Sequence, residues 1–122
     1  MGFSIVVLET DPRVAESLAG KLSSHFHPIH LTHSGNELRE RIARIRPEAV
    51  VLDIESSRLT DVRSLRHDFP SLPIVCTHRL PDEQLWIAAL EAGASDVCQS
   101  GDAQNVLTSV LRSLASAKAV AA

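Results

Sequence analysis

The feature that most constrains the fold is a pair of short, unbroken apolar runs, Ile5-Val6-Val7-Leu8 and Ala49-Val50-Val51-Leu52. Both are of strand length and rich in β-branched residues. A strand with one face in water alternates apolar and polar side chains. A strand covered by helices on both faces does not, and such cover goes with a parallel sheet. Three further runs of strand character complete the set, so strands are predicted over residues 3–8, 30–33, 49–54, 72–77 and 96–99. The second is weak and the last is short.

Helical patterns with legible starts fill the gaps. Asp11-Pro12 offers an N-cap carboxylate and then a proline at the first helical position, followed by Val14, Leu18 and Leu22 at i, i+4, i+8. Ser34-Gly35-Asn36-Glu37 reads as a capping box, with Leu38, Ile42 and Ile45 behind it and Pro47 as the stop. A third helix is predicted from Thr60, carrying Val62, Leu65 and Phe69 before Pro70. The fourth opens at Pro81-Asp82 and closes on Gly93. The fifth opens at Asp102, with Val106, Leu107, Val110, Leu111 and Leu114 as one apolar stripe, and the small-residue tail 116–122 is expected to fray. The order is (βα)5, an α/β doubly wound fold with a parallel sheet between two helical layers.

Composition narrows the function classes. With 122 residues, 44% hydrophobic and 22% charged, the chain has the makings of one ordinary core, so residues 1–122 are read as a single domain. A net charge of −3 argues against a nucleic-acid or anionic-membrane partner. No apolar run approaches bilayer length. Met1-Gly2 leads into the first strand without a basic stretch or cleavage site, so a cytoplasmic location is expected. Cys76 and Cys98 sit inside apolar segments and read as buried, reduced thiols.

In a parallel α/β sheet, functional side chains gather beyond the carboxyl ends of the strands. Those ends carry Glu9-Thr10-Asp11, Asp53, Thr77-His78 and Gln99-Ser100. Carboxylates from two strands would therefore meet in one crevice beside a hydroxyl, with His78 at its flank.

On these residues the chain resembles the response-regulator receiver domains of the CheY-like superfamily. Leu52-Asp53-Ile54 after Arg46-Pro47-Glu48-Ala49-Val50-Val51 looks like the phosphoacceptor segment. Thr77 after Leu72-Pro73-Ile74-Val75 looks like the switch threonine, and 89–96, Ala-Leu-Glu-Ala-Gly-Ala-Ser-Asp, is similar to the Gly-Ala stretch before receiver strand five. Val7-Leu8-Glu9-Thr10-Asp11-Pro12 resembles the acidic opening of the family. The resemblance implies a flavodoxin-like three-layer sandwich of strand order 2-1-3-4-5 and a role in two-component or phosphorelay signalling. It implies that Asp53 accepts a phosphoryl group from a histidine kinase, with Glu9 and Asp11 as an acidic pocket. A Mg²⁺ ion would draw on Glu9, Asp53 and Glu55. Thr77 would report occupancy.

The chain departs from that pattern at two positions that would supply or hold a cation. Thr10 stands where a metal-binding acid is usual, and Ser100-Gly101 stands where Lys-Pro is usual. Each electrostatic contact of this kind is typically worth about 3 kcal/mol to such a transition state. The expectation is an atypical receiver that acts by binding a kinase, phosphatase or effector, not as an enzyme. Arg58 and Arg79 are the nearby candidates for a replacement cation, and Lys118 lies far along the last helix. Any DNA-binding output would lie outside these residues, because no helix-turn-helix follows the fifth helix.

Two other features bear on function. His25, His27, His30 and His33 recur closely but would face different directions, so solvated or packed histidines are expected, not a metal cluster. Trp86, on the flank of the fourth helix, and Val97, where an aromatic switch residue is common, mark a helix 4, strand 5 and helix 5 face for partners or a homodimer. The alternative reading is a small flavodoxin-like cofactor-binding protein or enzyme. That would need a phosphate cradle after strand one, and Glu9-Thr10-Asp11-Pro12 is acidic.

Overall fold

The computed structural model describes the backbone of residues 3–121 and the side chains of residues 3–117. Five strands alternate with five helices: β1 Ile5–Leu8, α1 Pro12–Leu22, β2 Ile29–Thr32, α2 Gly35–Ile45, β3 Ala49–Asp53, α3 Leu59–Asp68, β4 Ile74–His78, α4 Glu83–Ala92, β5 Asp96–Gln99 and α5 Ala103–Ala121. All neighbouring strands pair parallel, in the order β2-β1-β3-β4-β5. This is the predicted α/β doubly wound sandwich.

The unbroken apolar strands are explained by the two cores they serve. Val6, Leu8, Val50, Leu52, Ile74 and Cys76 face α2, α3 and α4, where they meet Leu38, Ile42, Val62, Leu65 and Ala89. Ile5, Val7, Ala49, Val51, Val75 and Cys98 face α1 and α5, where they meet Leu18, Leu22, Val106 and Val110. Every residue of β1 and β3 is buried. The weak pattern of β2 follows from its place at the sheet edge, where Leu31 is exposed.

The N-caps form at the predicted residues, except that the capping box at Ser34 closes by one residue's offset, Glu37 Oε2 accepting from His33 N at 3.1 Å instead of from Ser34 N. The Asp11 carboxylate accepts from the Arg13 amide at 2.9 Å, Ser34 Oγ accepts from Glu37 N at 3.1 Å, and Asp82 and Asp102 each accept from the amide three residues on. Some boundaries differ. β1 begins at Ile5 and β4 is shifted to Ile74–His78, because pairing decides strand ends and Pro73, which has no N–H, contributes only its carbonyl, accepting from Val50 N at 2.9 Å. The helix α5 runs on through Ala121, since this alanine-rich segment has high helix propensity.

Gly93 closes α4 with φ of +122°, a conformation that side-chain-bearing residues rarely adopt. A Cβ built there would lie 2.7 Å from both Cβ and Cγ of Arg66. Arg66 cannot swing aside cheaply, because its guanidinium donates to Gly93 O, Phe69 O, Pro70 O and Ser95 Oγ at 2.9 to 3.3 Å. Gly93→Ala is therefore expected to destabilise the protein by about 1–3 kcal/mol in chemical denaturation. A change within error would show that the α4–β5 junction relaxes freely.

Candidate functional site

Strand register builds the site. Leu8 pairs with Leu52, and Asp53 pairs with Thr77, so β1, β3 and β4 end side by side. Asp53 and Thr77 each follow by two residues a side chain of the α1/α5 core, Val51 and Val75, and leave the sheet on that same side. Beyond the strand ends lies a cavity of about 310 Å³, lined by Glu9, Thr10, Asp11, Val14, Asp53, Glu55, Ser56, Arg79 and Ser100. It sits where the chain reverses direction across the sheet, with β1 between β2 and β3.

Asp53 is buried and held on both carboxylate oxygens. Oδ1 accepts from Glu55 N at 3.1 Å, and Oδ2 accepts from the Ser56 hydroxyl at 2.5 Å. Ser56 Oγ lies 2.8 Å from Thr10 Oγ1. A serine hydroxyl has one proton, here committed to Asp53, so Thr10 donates to Ser56. The result is a hydroxyl chain from β1 to Asp53. Ser57 Oγ donates to Asp53 O at 2.9 Å and closes the turn.

The charges are unevenly distributed. Glu9 is buried, and its Oε2 accepts from Asp11 N at 3.1 Å. Desolvation pushes its carboxyl above the usual range, the charges of Asp53, Asp11 and Glu55 add to this, and the Asp11 amide only partly offsets them. Glu55 is shifted the other way, chiefly by its hydrogen bond to Arg79, whose Nε donates to Oε1 and Oε2 at 2.9 and 3.0 Å. His78 Nε2 stands 3.3 Å from the same Oε1. Behind the site, burial pushes the Cys76 thiol up to about 12, so it is no nucleophile.

No protein-family model matches this sequence. The response regulator MprA of Mycobacterium ulcerans strain Agy99 is 35% identical over 117 residues, which are 93% of this chain and 50% of that protein. MprA of Mycobacterium tuberculosis strain H37Rv is 34% identical over the same length. This chain spans about half the length of the curated relatives it matches. Among solved structures, the BeF3-activated N-terminal receiver domain of Klebsiella pneumoniae RstA is 33% identical, with a TM-score of 0.74 over 89% of this chain and 95% of that one. The chain belongs to the response-regulator receiver family. A putative response regulator from Chloroflexus aurantiacus shares the fold at 24% identity and a TM-score of 0.83. Receivers are the signal-accepting modules of two-component systems.

Within this receiver the sequence-predicted residues have distinct fates. Glu9, Thr10, Asp11, Asp53, Glu55 and Ser100 share the cavity wall. Thr77 lies behind it, fully buried, with no hydrogen-bond partner for its hydroxyl among the described residues. Ser100 is fixed by its amide, which donates to His78 O at 2.9 Å. Glu9, Asp53 and Glu55, the expected metal ligands, all line this cavity. Among the described residues no three acidic, histidine or cysteine side chains converge to hold an ion. Glu55 is turned to Arg79, Asp11 caps α1, and the Ser56 hydroxyl occupies Asp53.

The two interface candidates differ in exposure. Val97 is buried, and Trp86 is packed against the α2/α3/α4 core with its Nε1 enclosed and unpartnered among the described residues. The helix turns Ile87 and Leu90 outward instead, 49% and 47% exposed. Of the two arginines, Arg58 opens α3, its amide donating to Asp61 Oδ2 at 3.0 Å, and Arg79 reaches the cavity. The Lys118 side chain lies outside the described residues. His25, His27 and His33 are exposed, and His30 Nδ1 contacts Arg41 at 3.1 Å.

Sequence reading missed Ser56 and did not choose Arg79. The second was within reach, because Glu55 and Arg79 stand two residues past the paired Asp53 and Thr77, and opposite charges at matched positions on adjacent strands attract.

The raised Glu9 pKa has a consequence for stability. The folded state favours neutral Glu9, so this contribution is present below 4.5 and is lost as pH rises through the folded value. In metal-free buffer, Glu9→Gln is expected to raise the thermal unfolding midpoint at pH 7.5. The gain should shrink towards zero below pH 4.5. An equal gain at both pH values would remove ionisation as its cause.

Proposed function

We propose that this chain is an atypical receiver that keeps Asp53 as its phosphoacceptor but has an impaired cation site, and that it acts as a protein-interaction module and not as an enzyme. The observation that carries this reading is the Thr10–Ser56–Asp53 hydroxyl chain. Where the family pattern places an acid and a metal, the Glu55 amide and the Ser56 hydroxyl, itself backed by Thr10, satisfy the acceptor carboxylate. They supply none of the positive charge that a transferring phosphoryl group needs. The buried, unpartnered Thr77 hydroxyl supports its assignment as the donor that engages the pocket once Asp53 is modified.

The donor would be the phosphohistidine of a histidine kinase. Its P–N bond breaks as a carboxylate oxygen of Asp53 bonds to phosphorus, and the imidazole leaves as the neutral ring after taking a proton. A cofactor-binding role is not favoured, because Glu9, Asp11, Asp53 and Glu55 crowd the cavity and would repel a phosphate ester. Residues 1–122 act as the receiver unit in a cytoplasmic setting, with no nucleic-acid or membrane contact of their own. No helix among the described residues is long and apolar enough to cross a membrane. Partner proteins, including a second copy of the chain, would use the α4–β5–α5 face through Ile87 and Leu90, with Leu80 ahead of the helix.

Two measurements test this reading. With Mg²⁺ and phosphoramidate, intact-mass analysis is expected to show a slow single phosphoryl adduct, absent from Asp53→Ala and formed about 10- to 100-fold faster in Thr10→Asp. No adduct in folded wild type and Thr10→Asp alike would end the acceptor assignment. No acceleration in Thr10→Asp would end the claim of impairment. For the partner face, sedimentation of phosphoramidate-treated protein is expected to show self-association that Leu90→Asp abolishes. A wild type that stays monomeric at every concentration would discard the dimer.

A further inference from the structure

The geometry points to Arg79 as the cation that grips a phosphoryl group on Asp53, replacing the charge that Ser100 cannot supply. This rests on the reading of Asp53 as acceptor. Among the described residues Arg79 is the one cationic side chain in the cavity wall, facing Glu9, Asp11, Asp53 and Glu55. It comes from the residues after β4, not from the end of β5.

Arg79 is oriented from three sides. Its Nε donates to both Glu55 oxygens, its backbone amide donates to Glu55 Oε1 at 3.3 Å, and its carbonyl accepts from Gln99 Nε2 at 3.1 Å. Its two terminal amino groups make no hydrogen bond to a described residue. An arginine side chain has five N–H donors in a planar fork, and Nε uses one of them here. Four donors are thus left in a cavity that Asp53 also lines, in the planar fork that suits phosphate oxygens. Glu55 is the positioning residue: it holds the guanidinium by its base and leaves its tips free. His78 Nε2, 3.3 Å from Glu55 Oε1, steadies the carboxylate in turn.

Stability does not explain this arrangement. The Arg79 side chain is 71% exposed, and an exposed ion pair contributes little to folding. The loop that carries it, residues 79–82, includes Leu80, 59% exposed, and leads into α4. An Arg79 drawn towards a phosphoryl group would pull on the segment that begins the partner face, so occupancy is read through this arginine as well as through Thr77.

The test is a beryllofluoride titration of ¹⁵N-labelled protein with Mg²⁺ present, following the Arg79 Nε–H signal and the amides of Asp53 and Glu55. Wild type is expected to show saturable shifts at all three, and Asp53→Asn none. Arg79→Ala is expected to raise the midpoint at the Asp53 amide about 10- to 100-fold, with Arg79→Lys in between. Glu55→Gln keeps a carbonyl acceptor and should retain more affinity than Glu55→Ala, a rescue that loss of structure alone would not produce. Thermal unfolding close to wild type verifies that the Arg79 variants fold. An Arg79→Ala protein that saturates at the wild-type midpoint overturns the assignment and leaves Asp53 as acceptor. Absence of any saturable shift in wild type overturns both.

Discussion

The in-register parallel pairing of β3 with β1 on one side and β4 on the other is the constraint from which the rest of the molecule follows. Leu8 against Leu52 and Asp53 against Thr77 bring three strand ends to one line. A slip of one residue would send Asp53 to the opposite face, into the α2/α3/α4 core, where a carboxylate would be desolvated without partners. The two apolar faces of β1 and β3 forbid that slip, because each successive side chain is already claimed by one helical layer or the other.

That same burial sets the chemistry at the end of the sheet. Four carboxylates line the cavity, and the structure disposes of their charge in four different ways. Asp11 gives its oxygen to the start of α1. Glu55 pairs with Arg79. Asp53 is satisfied by an amide and a hydroxyl. Glu9 is left buried with one amide donor and has its pKa raised.

Much of this was legible in the chain. The unbroken runs at 5–8 and 49–52 gave the parallel sheet, Asp11, Ser34, Asp82 and Asp102 gave the helix starts, and Gly93 gave a helix end. Glu9, Asp53 and Ser100 were placed at strand ends because strand ends are readable from periodicity. What was not legible has one physical reason. The direction of a side chain on a short amphipathic helix or at a loop tip depends on neighbours distant in sequence. Trp86 turns inward because the core beside β4 and β5 accepts it, and Ile87 is turned out by the same rotation.

By itself, then, the sequence determined the element order, the layering and the residues at the carboxyl edge, since local periodicity and capping chemistry encode these within a few positions. Only the tertiary structure decided which of those residues touch. It set Ser56 on Asp53, Thr10 on Ser56 and Arg79 on Glu55, contacts spanning up to 46 residues of chain. Such pairings depend on ångström-scale distances across separate loops, and these exist only once the strands have locked into register.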